Sequence, residues 1–575
     1  MKKFLSLLLA MAMCLGLLAG CGGSSTGGGD ADSSEGATSA SGSSSTEAEG
    51  DASEEGEEAT GMSSVTSGIS LAQHPEITTE GCSEDITVTI SSNVDIAGID
   101  AFAAAQSGRN DIRYLIYDQL AIMTTPGGEV EDMALQMAKS IEKIDDVTYQ
   151  IEIYDYIHDW AGNAVTADDV VYSYTTMKDS GVSGKFSRLL ESMEKVDDYT
   201  VIMHLAESSL GTAQYCLQYC PVVSQASYES QTEGERSQYP IGTGGYKIVD
   251  YVSGGYCYLE RVDDYWQTDE SLRSYAYSAQ AKEIKIIVQT EAAQRTNSML
   301  TGSSDVAVQI SSTEISQFRN DDGTSKDGYN VLSYLSSTTP FVVFNCSEDS
   351  PLSNIDLRKA VCSAIDRTGV MDGTYGASGY LASVDLCNAL VGDYNDDWTW
   401  YEYDAAAAES YLEASGLSDV TLTIMTDTSD SQKSIAVFIK EYLNMVGINV
   451  EIASYDAALI TEYKNDSTMW DMRLDTPGSS DYATDAWNLM TSADTNEGRS
   501  YFMVTDETLD ELVATATAID THSQDTVDAV HEYCYEQCYY LPLGTPYQYA
   551  VASDSLLGWP LHPYNYLLYG GFIFE

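Results

Sequence analysis

The stretch Val420-Thr421-Leu422-Thr423-Ile424, the apolar positions Ile435, Ile439, Tyr442, Leu443 and Val446, and the segment Gly447-Ile448-Asn449-Val450-Glu451-Ile452 together decide the fold class. Leu422 and Ile424 alternate with polar neighbours, the period-two pattern of a half-buried strand. The five apolar positions that follow recur at helical spacing and lie on one face. Gly447 stops that helix, and Ile448, Val450 and Ile452 then alternate again. A strand, a helix and a second strand in this order form a βαβ crossover, which places two strands parallel in one sheet. The chain therefore reads as α/β.

The same reading extends toward the N-terminus. Leu357, Ala360, Val361, Ala364 and Ile365 form one helical face, and Asp404 is placed to cap a helix that Gly416 ends. Further upstream lie two similar strand-turn-strand units, around Asp145-Asp146 and Asp197-Asp198, each followed by alternating apolar residues. Between them Thr166-Ala167-Asp168-Asp169 has the form of a capping box, so a helix starts there. Gly242-Thr243-Gly244-Gly245-Tyr246 lacks the spacing and the Lys-Ser/Thr of a phosphate-binding loop and reads as a glycine turn entering a strand.

The N-terminal end is of another kind. Lys2 and Lys3 precede an uncharged run from Phe4 to Ala19, and Leu18-Ala19-Gly20-Cys21 closes it. This is a signal-peptide layout, too short for a membrane span, and it looks like a bacterial lipobox in which Cys21 becomes the lipidated first residue. Residues 22–80 are mostly Gly, Ser, Thr, Ala, Asp and Glu, with no Lys or Arg between Lys3 and Arg109. Such a segment cannot bury enough apolar surface to fold and is expected to be a flexible acidic tether.

Composition narrows the partners. With 89 acidic against 27 basic residues the net charge is −62, so nucleic acid and anionic membrane surfaces are repelled. The 41 tyrosines against 10 phenylalanines suit a polar cavity lined by aromatic rings. Nine cysteines lie beyond Cys21 and cannot all pair. His531, Cys534 and Cys538 would share a helical face, where a metal or plain packing is open; with six histidines in the chain packing is preferred, and no metal or cofactor is expected.

One stretch carries a resemblance. His158-Asp159-Trp160-Ala161-Gly162-Asn163-Ala164-Val165-Thr166-Ala167-Asp168-Asp169-Val170-Val171-Tyr172-Ser173 resembles the most recognisable segment of the family 5 extracellular solute-binding proteins, the peptide receptors of ABC importers. Val196-Asp197-Asp198-Tyr199-Thr200-Val201, Ile241–Tyr246, Asp264-Tyr265-Trp266, Leu357-Arg358-Lys359-Ala360-Val361 and Gly447-Ile448-Asn449-Val450 are similar too. Departures are Gly245, where the family has proline, and Ile141, where it has tryptophan.

The resemblance implies a bilobal, periplasmic-binding-protein-like α/β fold with two hinge crossings. Lobe one would span 81–308 with an extra subdomain near 116–224, lobe two 309–540, and residues 541–575 would return to lobe one. The crossings are expected near Asp305-Val306 and from Leu541 to Tyr549, the second stiffened by Pro542 and Pro546.

It also implies a site. In peptide-binding members an aspartate on lobe two pairs with the ligand's amino terminus. Trp470-Asp471-Met472 resembles the preceding strand and Ser480-Asp481-Tyr482 the acidic turn, which makes Asp481 the candidate; Ser480, Tyr482, Thr339 and Phe341 are further candidates. The implied function is capture of a small solute, a short peptide, for delivery to an ABC permease. The receptor is expected to be a lipid-anchored monomer on the outer face of the cell membrane, or periplasmic if the host has an outer membrane. A same-fold receptor for an oligosaccharide, opine, nickel or haem complex, a sensing lipoprotein and a secreted hydrolase are the alternatives; no HExxH or P-loop pattern supports the last.

Overall fold

The computed structural model describes residues 85–93, 98–103, 110–125, 127–274, 281–320, 322–336, 338–377, 379–387, 391–476, 482–488, 490–492, 500–562 and 566–575. Three sheets organise them. The largest has strand Thr87–Ser92 between two parallel neighbours, Glu283–Val288 and Val306–Ile310. It continues through Tyr256–Arg261 to Tyr246–Val252 on one side, and through Gly544–Ser553 to Tyr329–Leu335 on the other. A five-stranded sheet carries Asn449–Ser454, Thr421–Thr426, Met472–Asp475, Phe341–Phe344 and Tyr540–Pro542 in that spatial order. A four-stranded antiparallel sheet of Ala138–Asp145, Thr148–Ile153, Thr200–Leu205 and Leu190–Lys195 packs under helix Ala167–Ser180.

The local rules read from the sequence operate here. Thr421–Thr426 and Asn449–Ser454 run parallel through helix Asp430–Met445, whose Ile435, Ile439 and Leu443 are buried. Thr166 caps helix Ala167–Ser180, and Asp169 Oδ2 accepts the Thr166 amide at 2.8 Å. Asp404 accepts the Ala406 and Ala407 amides, and Gly416 closes that helix in the left-handed region at φ 69°. The 242–246 glycines serve a close approach: a Cβ on Gly242 would meet the Ile116 carbonyl oxygen at 2.1 Å, and the Gly244 amide bonds that same oxygen at 2.8 Å.

The first passage between the large and five-stranded sheets falls between Leu335 and Phe341, later than the Asp305-Val306 crossing expected from sequence. Tyr329–Leu335 remains with the large sheet, paired along its whole length with Gly544–Ser553. The second passage runs from Tyr540–Pro542 directly into Gly544–Ser553. The two passages lie side by side. Ser336 N donates to Pro546 O at 2.8 Å, and the Thr339 and Thr545 hydroxyls bond each other at 2.8 Å.

Candidate ligand-binding site

Register locates the functional edge. In the five-stranded sheet the parallel strands end at Thr426, Ser454 and Asp475. Phe341, which opens the incoming strand, pairs with Asp475 and with Pro542 of the outgoing strand. Both passages therefore leave from the edge where the parallel strands end. In the large sheet the parallel strands end at Ser92, Val288 and Ile310, with Ile310 paired to Tyr549 and Leu335 to Tyr547. The carboxyl ends of both sheets thus turn toward the same two passages. In open α/β sheets that edge is where ligands bind, because loops there converge and strand-end amides remain free.

The sequence candidates distribute around it. Ser480 and Asp481 lie outside the described residues. Tyr482 opens helix Ala483–Asn488, and its hydroxyl donates to Gly127 O at 2.9 Å, joining the second lobe to the first. Thr339 is buried in its hydroxyl pair with Thr545 between the passages. Phe341 is fully buried, parallel to the Tyr501 ring and edge-on to Tyr540. The geometry brings Phe341 to the strand-end edge and Tyr482 to the inter-lobe contact, and makes Thr339 a link between passages.

Other inter-lobe contacts flank Tyr482. Lys185 Nζ approaches Asp485 Oδ1 at 3.4 Å and sits over the Tyr215 ring at 4.7 Å. Leu210 N donates to Thr517 O at 3.2 Å, and Ile519 N to Ser208 O at 3.3 Å. Next to Asp485, the Asp393 carboxyl is held above its usual range by burial, with Asp485 adding and His522 opposing.

Sequence reasoning missed the layer that seats helix Ala483–Asn488. Trp487 Nε1 donates to Asp385 Oδ1 at 3.1 Å, and so does the Tyr540 hydroxyl at 3.1 Å. His531 Nδ1 meets Asp385 Oδ2 at 2.6 Å, its Nε2 faces Thr399 O at 3.1 Å, and its ring lies parallel to Trp398 at 4.5 Å. His531 thus answers to a carboxylate and an indole. Asp475 takes hydrogen bonds from the Tyr501 hydroxyl and an ion pair from Arg473 Nη2 at 3.0 Å, with Arg473 over the Tyr501 ring at 4.3 Å. Burial first, then the Asp475 carboxylate, hold the Tyr501 hydroxyl above its usual range. An isolated Asp385 or Asp475 carries no local pattern; only its distance-spanning partners mark it.

Two α/β lobes joined by paired passages, with the strand-end edges of both sheets facing them, define a solute-binding receptor of the periplasmic-binding class. The sequence profile of the bacterial extracellular solute-binding proteins, family 5 Middle, matches residues 132–500, more than half of the chain, and the chain belongs to that family. Its role is accordingly substrate binding in connection with ABC importers, outside the cytoplasm, and it is not an enzyme. The oligopeptide-binding protein AppA of Bacillus subtilis (strain 168) is 24% identical over 497 residues, covering 79% of this chain and 85% of the relative. The structure of the oligopeptide-binding protein AppA from Bacillus subtilis in complex with a nonapeptide superposes with a TM-score of 0.70 at 18% identity, covering 86% of this chain and all of that one. NikA from Staphylococcus aureus in complex with Ni(L-His)2 superposes with a TM-score of 0.66 at 16% identity, covering 85% of this chain and 100% of the other.

Proposed function

We propose that this chain captures short peptides outside the cell and, as a monomer on a lipid-anchored acidic tether, delivers them to the permease of an ABC importer. The observation that supports the reading is the contact made by Tyr482, whose hydroxyl reaches Gly127 of the opposite lobe, beside the strand-end edge of the five-stranded sheet. The oligopeptide-binding relative in Bacillus subtilis adds support.

In this reading Asp481 receives the peptide's ammonium group. A charge-assisted hydrogen bond in a water-poor cleft is stronger than a neutral one. A peptide that touches both lobes binds the closed arrangement better than the open one, which is the free energy that drives closure. The anchor would be Cys21, with two or more acyl chains giving stable attachment where one gives marginal binding.

Calorimetry with a panel of free-amine and N-acetylated peptides tests the site. Asp481→Ala is expected to weaken free-amine peptides by about 2–5 kcal/mol and N-acetylated ones far less. Equal losses would remove Asp481 from the ligand's amino end. Native mass spectrometry of the receptor with its co-purified solute tests the ligand class, and a nickel chelate or a haem there would replace the peptide. Labelling with a clickable fatty acid, lost in Cys21→Ala, tests the anchor.

A further inference from the structure

Eight cysteines among the described residues are buried, and two of them touch. Cys362 lies on helix Ile355–Ala364 and Cys538 at the C-terminal cap of helix Gln524–Gln537, 176 positions apart in sequence, with their sulfurs 3.2 Å apart. The contact is built in from both sides. Arg358, one turn before Cys362, donates through Nε to Gln537 O at 3.0 Å and Cys538 O at 3.1 Å, and through Nη2 to Gln537 O at 2.8 Å. Cys538 adopts the left-handed region at φ 53°, a conformation a non-glycine residue takes up only where its surroundings impose it. That turn directs its side chain onto Cys362.

We propose that Cys362 and Cys538 are a redox pair that closes to a disulfide when the chain folds in the presence of a small-molecule disulfide. One thiolate attacks a sulfur of the oxidant RS–SR, forming a mixed disulfide and expelling RS⁻, which takes up a proton. The second cysteine's sulfur, on losing its proton, attacks the protein sulfur of that mixed disulfide. It forms the Cys362–Cys538 bond and expels the second RS⁻. The two protein thiols are oxidised and RS–SR is reduced to two RSH. From thiol contact to a bonded separation of ~2.05 Å the sulfurs need to move by about 1 Å, within reach of side-chain rotation.

Burial decides when this happens. The thiolate is the nucleophile, and burial, reinforced by Cys362, pushes the Cys538 thiol well up. In the folded chain both sulfurs are closed to solvent, so the bond forms as the lobe assembles and is then sheltered from reductant. Cys538 precedes strand Tyr540–Pro542 by two residues, so the bond would pin the foot of the second passage to the helix beneath it.

The test folds the full chain from the reduced, denatured state, once with a mixture of oxidised and reduced glutathione and once with reductant alone. Non-reducing peptide mapping is expected to join the Cys362 and Cys538 peptides in the first sample, with a loss of ~2 Da, and to leave every cysteine alkylatable in the second. The joined form should unfold at least about 5 °C higher. Cys362→Ala should abolish both effects. Export of the chain into an oxidising bacterial envelope, followed by the same map, gives the answer without refolding. Free thiols at both positions after either route would overturn the proposal, as would a link from Cys538 to Cys346 instead.

Discussion

Each lobe buries one carboxylate against a tryptophan and a tyrosine, and the two are satisfied in different ways. In the first lobe Asp118 accepts from Trp266 Nε1 at 2.6 Å, the Tyr265 hydroxyl at 3.0 Å and Gln136 Nε2 at 2.5 Å. All three donors are neutral, and burial pushes the carboxyl up to about 7, with the Trp266 and Tyr265 bonds only partly opposing it. In the second lobe Asp385 has the same pair of donor types, from Trp487 and Tyr540, but its other oxygen meets an imidazole. The contrast teaches what a buried acid can join. Asp118 is held by neutral donors that do not make its ionised form cheap, whereas Asp385 links His531 of helix Gln524–Gln537 to Trp487 of helix Ala483–Asn488, the helix that carries Asp485.

The largest effect is expected from breaking the second arrangement. Asp385→Ala would strand His531, Trp487 and Tyr540 without their acceptor and should destabilise the second lobe by about 3–5 kcal/mol in denaturant unfolding. It should also weaken solute binding by loosening helix Ala483–Asn488, and an unchanged midpoint would mean that the network is dispensable.

Two variants then sharpen the first arrangement through pH. Buried His562 is pushed down to about 3, its Nε2 on Gln218 and its ring parallel to Tyr566. A histidine depressed in the folded state contributes stability above about 6.5 that is lost as pH falls toward 3, up to ~5 kcal/mol. Asp118 works in the opposite sense. Its carboxyl is raised in the folded state, so its contribution is greatest below about 4 and declines as pH rises to 7, by up to ~4 kcal/mol. Between pH 4 and 6.5 the two slopes nearly cancel. Asp118→Asn should therefore uncover stability that rises with pH across this window, and His562→Phe, which keeps the ring, stability that falls. Urea midpoints at half-unit pH steps check both, and parallel profiles in the two variants would contradict the assignment.

The smallest effect belongs to the contact between the lobes. Lys185 is 38% exposed at its 3.4 Å pair with Asp485, so Lys185→Ala should alter closure by less than about 1 kcal/mol. The change should vanish at high salt, as read by small-angle scattering with and without peptide. A large, salt-independent effect would promote this pair to the rank of the Asp385 network.

Local chemistry explains which parts were legible in the sequence. The caps at Thr166 and Asp404 and the crossover from Thr421 to Ser454 depend on neighbours within a few turns, and their side-chain types announce them. The membership of Tyr329–Leu335 depends on an edge provided by Gly544–Ser553, more than 200 residues later, and no period in the strand encodes that. The same holds for Asp385, whose partners come from positions 487, 531 and 540. Of the candidate residues, Tyr482 is named from the resemblance of the acidic turn to a family segment, and what the structure shows of it is a bond between the lobes. The hinge role of Thr339 could not be read, since a threonine announces neither its burial nor the partner hydroxyl of Thr545.

The hydroxyl pair Thr339–Thr545 and the Ser336–Pro546 bond make the two passages a stitched ribbon instead of two independent cords. A ribbon flexes readily across its flat face and resists being sheared or wrung. Opening and shutting would then follow one arc, so that a guest leaves by the route along which it arrived, and the halves meet in the same alignment each time they come together.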